Sequence, residues 1–260
     1  MRNLLLQLLS ENRRAGRVSE TKVVAAADGN EVVIYLYDPI VSDRATADYF
    51  GCVCAQDLVP QIDEIKAANI RLRINCPGGD VFAMQAIMNA LRNQSARVVG
   101  QVDGVAASAA TGIAAVCDEL VMEPGSLFMI HNSHGLAYGN KADMLALAGL
   151  MDKVDAGMAD AYMAKTGKAR DQVQAWMDAE TWFTADEAVA NGFADSVNAG
   201  GKAVSAKSKW NLSAFANAPK PSTAPVAEVP PSGPEPVYAG AEHRERQQQR
   251  LQLLARLSHQ

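Results

Sequence analysis

The sequence predicts a layered α/β domain, followed by a proline-rich tether and a C-terminal helix. Three observations carry this. Apolar, β-branched runs such as "EVVIYLYDPI" alternate with segments of helical apolar spacing; "IRLRINCPGGD" runs a strand directly into a glycine turn and a helix; and the alternation continues to about residue 197 before the composition changes. Repeated strand, helix, strand units of this length form a sheet covered by helices, with right-handed crossovers. The 260 residues, 48% hydrophobic and 20% charged, suffice for one sizeable domain with appendages.

The elements follow in order. "MRNLLLQLLSENRRAGR" reads as an amphipathic helix within residues 1–20: Gln7 interrupts the apolar run, and Glu11, Arg13 and Arg14 follow with no small-residue cleavage site. The body then spans 21–200. A strand over 31–40 closes at Asp38 and Pro39, one helix covers "ADYFGCVCAQDLVPQIDEIKAA", and a strand enters "NCPGGD" ahead of a helix at about 80–93. Next come the strand "ARVVGQVDG", a small-residue helix from about 107, and the strands "DELVMEP" and "SLFMIHNS". A long helix from about 141 to 165, a shorter one from about 168 to 177, and "TWFTADEAVANGFADSV" complete the body.

Beyond it, seven of the 11 prolines fall between Pro219 and Pro236. A stretch this rich in proline is extended and cannot build a core, so 201–240 is predicted to be a disordered linker. Leu251, Leu254 and Leu257 then recur at helical spacing in a polar background, which predicts a docking helix over 241–260. Residues from Gly201 onward carry eight Lys/Arg against four Asp/Glu, so the acidic excess behind the net charge of −5 lies in the body.

Several function classes are excluded by what is missing. The body has no basic cluster interleaved with aromatics, which argues against nucleic acid as a partner. No run approaches the roughly 18 to 20 apolar residues of a membrane span. Cys52, Cys54, Cys76 and Cys117 show no CxxC spacing, so neither a metal site nor a disulfide framework is expected, and a reducing compartment fits. No cofactor is expected, and the absence of a Walker A pattern predicts no ATPase of its own.

The chemistry gathers around "GVAASAAT", residues 104–111. A serine attacks a carbonyl only when a base takes its proton and backbone N–H groups receive the oxyanion. Ala106, Ala107, Ala109 and Ala110 around Ser108 let a substrate backbone approach, and a strand-to-helix junction places the serine in the field of a helix N-terminus. The body's histidines are His131 and His134; the first ends the apolar strand "LFMIH", where a base is held firmly yet reaches a cleft. "NCPGGD" offers two glycines whose N–H groups can cradle an oxyanion.

"INCPGGDVFA", "GVAASAAT", "FMIHNSHG" and "TWFTADEAVANGFADSV" stand in the order and approximate spacing of the ClpP serine peptidases. The chain resembles that family over about residues 30–198, and most closely the ClpP-related head maturation (prohead) proteases of tailed bacteriophages. The resemblance implies the ClpP/crotonase-like spiral of ββα units. It implies Ser108 as nucleophile, His131 as general base, and the N–H groups of Gly79 and Ala109 as oxyanion hole. The triad aspartate of the family aligns without gaps with Glu180, and Asp178 in "MDAETWF" is the other candidate. The histidine is followed by "NS" where the family often has "QP".

"ETWFTADEA" and the proline-rich tether resemble the phage branch, which implies capsid, scaffold and portal proteins as substrates. It also implies a homo-oligomeric ring, and action in the host cytoplasm and procapsid interior. Two alternatives stand beside this: a cellular-type ClpP subunit working with an ATP-dependent unfoldase, and an inactive ClpP-like scaffold protein. A crotonase-type acyl-CoA enzyme shares the fold, but the Ser/His pair argues against it.

Overall fold

In the segment Asn69–Cys76 every second residue, Ile70, Leu72, Ile74 and Cys76, is buried. The alternate face carries Arg71 paired with Glu31, and Arg73 with Asp103. That period of two makes a strand with helices on one side and polar pairs on the other. A computed structural model describes residues 3–13, 19–26, 29–200 and 210–219. Its elements run α1 (Leu4–Asn12), β1 (Lys22–Ala25), β2 (Glu31–Leu36), β3 (Ile40–Val41), α2 (Arg44–Phe50), β4 (Val53–Cys54), α3 (Ala55–Asp63), β5 (Asn69–Cys76) and α4 (Val81–Arg92). They continue with β6 (Arg97–Ala107), α5 (Ala109–Ala114), β7 (Glu119–Met122), β8 (Leu127–Ile130), α6 (Lys141–Thr166), α7 (Arg170–Asp178), β9 (Thr181–Thr184), α8 (Ala185–Ala190) and β10 (Ser196–Val197).

The main sheet has the order β1-β2-β5-β6-β7-β10, parallel throughout except for β1 at its edge. The long β6 serves two neighbours in turn. Its Val99–Val102 stretch pairs with β7, whereas Val105–Ala107 pairs with β8, which in turn pairs antiparallel with β9. Between the two, the register against β5 shifts from Ile74↔Val102 to Cys76↔Ala106. Gly104 lies in this shifted stretch, where a Cβ would come within 2.9 Å of Asn75 Oδ1. The strand thereby leaves the main sheet and carries its C-terminal end into a second limb, giving the mixed α/β ClpP-like fold that the resemblance implied.

Helices α3, α4 and α5 cover the buried face of the sheet through residues such as Leu58, Ile62, Met84, Ile87 and Ile113. An aromatic group, Phe128, Tyr162, Trp176, Phe183 and Phe193, packs the second limb against α6 and α7. None of the described helices is long and apolar enough to cross a membrane.

Three departures from the sequence reading concern boundaries. The single helix expected over 47–68 is two, α2 and α3: Gly51 takes a left-handed conformation (φ 71°) that ends α2, and the two-residue β4 intervenes. Strand β1 was not predicted. The stretch 201–240, expected as a linker, contains a packed segment: Trp210 and Phe215 are buried with Leu8, Val105, Ala107 and Met129. Large aromatic rings bury enough apolar surface to fix a short segment even in a proline- and alanine-rich region. The docking helix expected over 241–260 lies outside the described residues.

Candidate active site

Ser108 stands between β6 and α5 with φ 53° and ψ −126°, a conformation that non-glycine residues rarely adopt. The turn is held on both sides. Ser108 N donates to Met129 O (2.9 Å), and its carbonyl accepts from Thr111 N (2.9 Å) and Thr111 Oγ1 (2.5 Å). The Thr111 hydroxyl in turn meets Tyr162 OH at 2.6 Å. Such strain costs about 1–3 kcal/mol and persists only where its surroundings over-determine it. The small residues have a visible reason, because the "PGG" backbone crosses this turn closely. A Cβ on Gly78 would lie 2.7 Å from Ala107 O and 2.8 Å from Ser108 Cβ.

His131 follows β8, the strand paired with the end of β6, so register alone brings the two side chains together. Its Nε2 lies 2.7 Å from Ser108 Oγ. The other ring nitrogen, Nδ1, is buried and has no hydrogen-bond partner among the described residues. Burial, and secondarily the neighbouring His134, push the imidazole pKa down to about 3, which keeps the ring neutral and able to accept a proton. His134 and Phe215 flank the ring at centroid distances of 4.8 and 5.7 Å.

The two candidate acids separate clearly. Asp178, exposed at the end of α7, accepts from Asn132 Nδ2 (2.8 Å) and Gln174 Nε2 (2.9 Å), bonds that hold its pKa low. Glu180 is half-buried, with φ 47°, and its Oε2 is 4.0 Å from His131 Nδ1. Hydrogen-bond length, the expectation for the acid, is therefore not reached. The carboxylate instead accepts from Asn217 N (2.7 Å), Ala216 N (3.1 Å) and Trp182 Nε1 (3.4 Å).

Opposite the serine, Gly78 and Gly79 have φ of 103° and 149°. Ile40 N donates to Gly78 O (2.9 Å) and Asp80 N to Ile40 O (2.8 Å), a bridge that fixes the turn without using the N–H of Gly79. A side chain there would collide, since a Cβ on Gly79 would sit 2.0 Å from Ile40 O. Ala109 opens α5, so its N–H has no partner within the helix. Next to Ser108 lies a cavity of about 220 Å³ walled by Met84, Leu147, Met151 and Met158, and also by Leu8 and Phe215. The sequence reading missed Thr111, Tyr162 and the 210–219 segment. A threonine three residues after the serine was a usable signal for the first, because Ser/Thr hydroxyls commonly bond back to a carbonyl.

Comparison with known proteins shows the family. Residues 25–200 match the Clp protease family model. A stretch of 131 residues, 50% of this chain, is 32% identical to 66% of the ATP-dependent Clp protease proteolytic subunit 1 of Leifsonia xyli subsp. xyli. A longer stretch of 171 residues, 64% of this chain, is 30% identical to 80% of the proteolytic subunit 2 of Nocardia farcinica. The proteolytic subunit 2 of Rhodococcus jostii is 28% identical over 169 residues, covering 64% of this chain and 84% of that one. A fold whose strand ends join a serine to a histidine, together with a family match across most of that fold, leads to one assignment: the chain belongs to the Clp protease family of serine peptidases.

Proposed function

We propose that the protein is a serine endopeptidase in which Ser108 is the nucleophile, His131 the general base and Glu180 the orienting acid. The observation that carries this reading is the 2.7 Å contact between Ser108 Oγ and His131 Nε2 at a strained strand end. His131 Nε2 takes the Ser108 proton while Oγ bonds to the scissile carbonyl carbon. The oxyanion that forms is received by the N–H groups of Gly79 and Ala109. The imidazolium then gives its proton to the leaving amine, the C–N bond breaks, and an acyl-enzyme remains for water to hydrolyse by the same route in reverse. For Nε2 to accept, the imidazole proton must reside on Nδ1, and Glu180 Oε2 is the anionic group facing that position.

The substrates in this reading are capsid and scaffold proteins of a tailed phage, cut during procapsid maturation by a homo-oligomeric ring. Support comes from "ETWFTADEA" and from the proline-rich stretch followed by a leucine stripe. A second reading, a cellular subunit fed by an ATP-dependent unfoldase, is favoured by the names of the relatives. A fluorophosphonate probe tests the chemistry: labelling of the wild type is expected and should vanish in Ser108→Ala, with proteolysis lost in both Ser108→Ala and His131→Ala. A wild type that never labels in any assembled form supports an inactive scaffold instead. Co-expression with capsid and scaffold proteins separates the two substrate classes, because cleavage without an unfoldase is expected only for the phage reading.

A further inference from the structure

The family match ends at residue 200, yet residues 210–219 reach the centre of the site. We propose that this segment is a strap that positions the triad acid: the backbone N–H groups of Ala216 and Asn217 hold the Glu180 carboxylate, and Phe215 closes over His131. The proposal rests on the triad reading given above.

The strap is built in at several points. Trp210 Nε1 donates to Asn75 O (2.8 Å), at the strand end that leads into the glycine turn. Asn211 and α1 clasp each other reciprocally: Asn12 Nδ2 donates to Asn211 O (2.9 Å) and Asn211 N to Asn12 Oδ1 (2.7 Å). Ser213 Oγ adds a bond to Glu11 Oε2 (2.6 Å). The chain then turns, buries Phe215 edge-on against both His131 and Trp182 (5.7 Å each), and presents two successive N–H groups to Glu180. Asn217 Nδ2 ties the end of the strap to Ala179 O (2.8 Å).

The bonding pattern favours positioning over blocking. The shorter strap bond, 2.7 Å, goes to Oε1, the oxygen remote from the histidine. Among the described residues Oε2 takes only the 3.1 Å bond from Ala216, and it is the oxygen that faces His131 Nδ1 at 4.0 Å. A carboxylate oxygen accepts two hydrogen bonds, so Oε2 keeps a lone pair for the ring N–H. A glutamate also has one more rotor than the aspartate usual in this role, and fixing it costs conformational entropy that outside donors can offset. Phe215 packs edge-on against the ring, whose Nδ1 is buried and has no other partner among the described residues.

The test uses the full-length chain, a fluorogenic peptide and the fluorophosphonate probe. Asn217→Pro deletes the N–H on Oε1, whereas Asn217→Ala deletes only the bond to Ala179 O. Asn217→Pro should lower kcat about ten- to a hundredfold with KM changed less than about threefold, the scale expected when a catalytic group is misplaced by about 1 Å. Asn217→Ala should restore most of that loss. In a Glu180→Gln background the proline should add less than about threefold, since the group it positions is already disabled. If Asn217→Pro does not fold, Trp210→Phe loosens the strap remotely and should show the same dependence on Glu180. Equal effects of proline and alanine, equal effects with and without Glu180, or a rise in activity would each overturn the strap while leaving the triad intact. An unlabelled wild type would overturn the triad reading, and the strap with it.

Discussion

The serine–histidine half of the site and the acid half are built differently. Ser108 and His131 extend from β6 and β8, strands that pair directly, with Ala107 opposite Met129 and Ser108 N bonded to Met129 O. A ladder fixes positions to within hydrogen-bond accuracy, and the contact between the two side chains is 2.7 Å. Glu180 also borrows its place from the sheet, since Thr181 pairs with Ile130 in the antiparallel β8–β9 ladder. That ladder delivers only the backbone. The longer side chain is finished by donors from a distant segment and stops 4.0 Å from the ring. Groups that branch from paired strands thus come prearranged, and a group that must reach across needs support from outside the ladder.

Glu180→Gln puts the greatest strain on that comparison. In the proposed triad, loss of the acid's charge removes the anion that faces Nδ1 and that would stabilise the imidazolium. Turnover of a peptide substrate should fall about 10⁴-fold, as in other triads whose orienting acid loses its charge. A fall smaller than about tenfold would show that the prearranged pair works alone and that the acid half is structural.

The pH response sharpens the same contrast. His131 is buried neutral with a pKa near 3, below the roughly 6.5 of an exposed imidazole. Between these values the unfolded chain binds a proton that the folded one does not. The neutral histidine therefore contributes stability that is fully present above about pH 6.5 and is lost progressively as pH falls toward 3, at a slope approaching about 1.4 kcal/mol per pH unit. The melting temperature should fall from pH 7 to 5 more steeply in the wild type than in His131→Gln. The acid limb of kcat/KM should likewise lie below the ordinary imidazole range. Identical melting slopes in the two proteins would mean that the ring is solvated and the site looser than described.

The two halves also differed in how legible they were. Ser108 announces itself by the alanines around it, and His131 by ending an apolar strand; both signals lie within eight residues and reflect local packing. The alternation of strands and helices is equally local, so the layered fold could be read directly. Residues 210–219 could not, because Trp210 and Phe215 sit in a stretch whose composition reads as tether, and the residues that Trp210, Phe215 and Asn217 meet, Asn75, His131 and Glu180, lie far off in sequence. The break between α2 and α3 was missed for a related reason. Gly51 within a helical apolar pattern resembles a tolerated glycine until its left-handed conformation is seen.

The smallest expected effect belongs to Asp178, the other acid of "MDAETWF". Two residues apart in an extended segment would share a face with Glu180, and the shorter side chain is the one usual in this role. Here the segment is not extended: α7 runs to Asp178, and Glu180 then takes a left-handed φ of 47°, which turns the two carboxylates apart. Asp178 is tied to Asn132 and Gln174, and Asn132 directly follows the histidine, so its route to the site is indirect, through the backbone position of His131. Asp178→Asn keeps the side chain's size and its capacity to accept from Gln174, and loses only charge at an exposed position. Peptide turnover should fall less than about tenfold, well short of the Glu180→Gln loss. The opposite ranking of the two variants would move the orienting role to Asp178 and would require α7 to unwind its last turn when substrate binds.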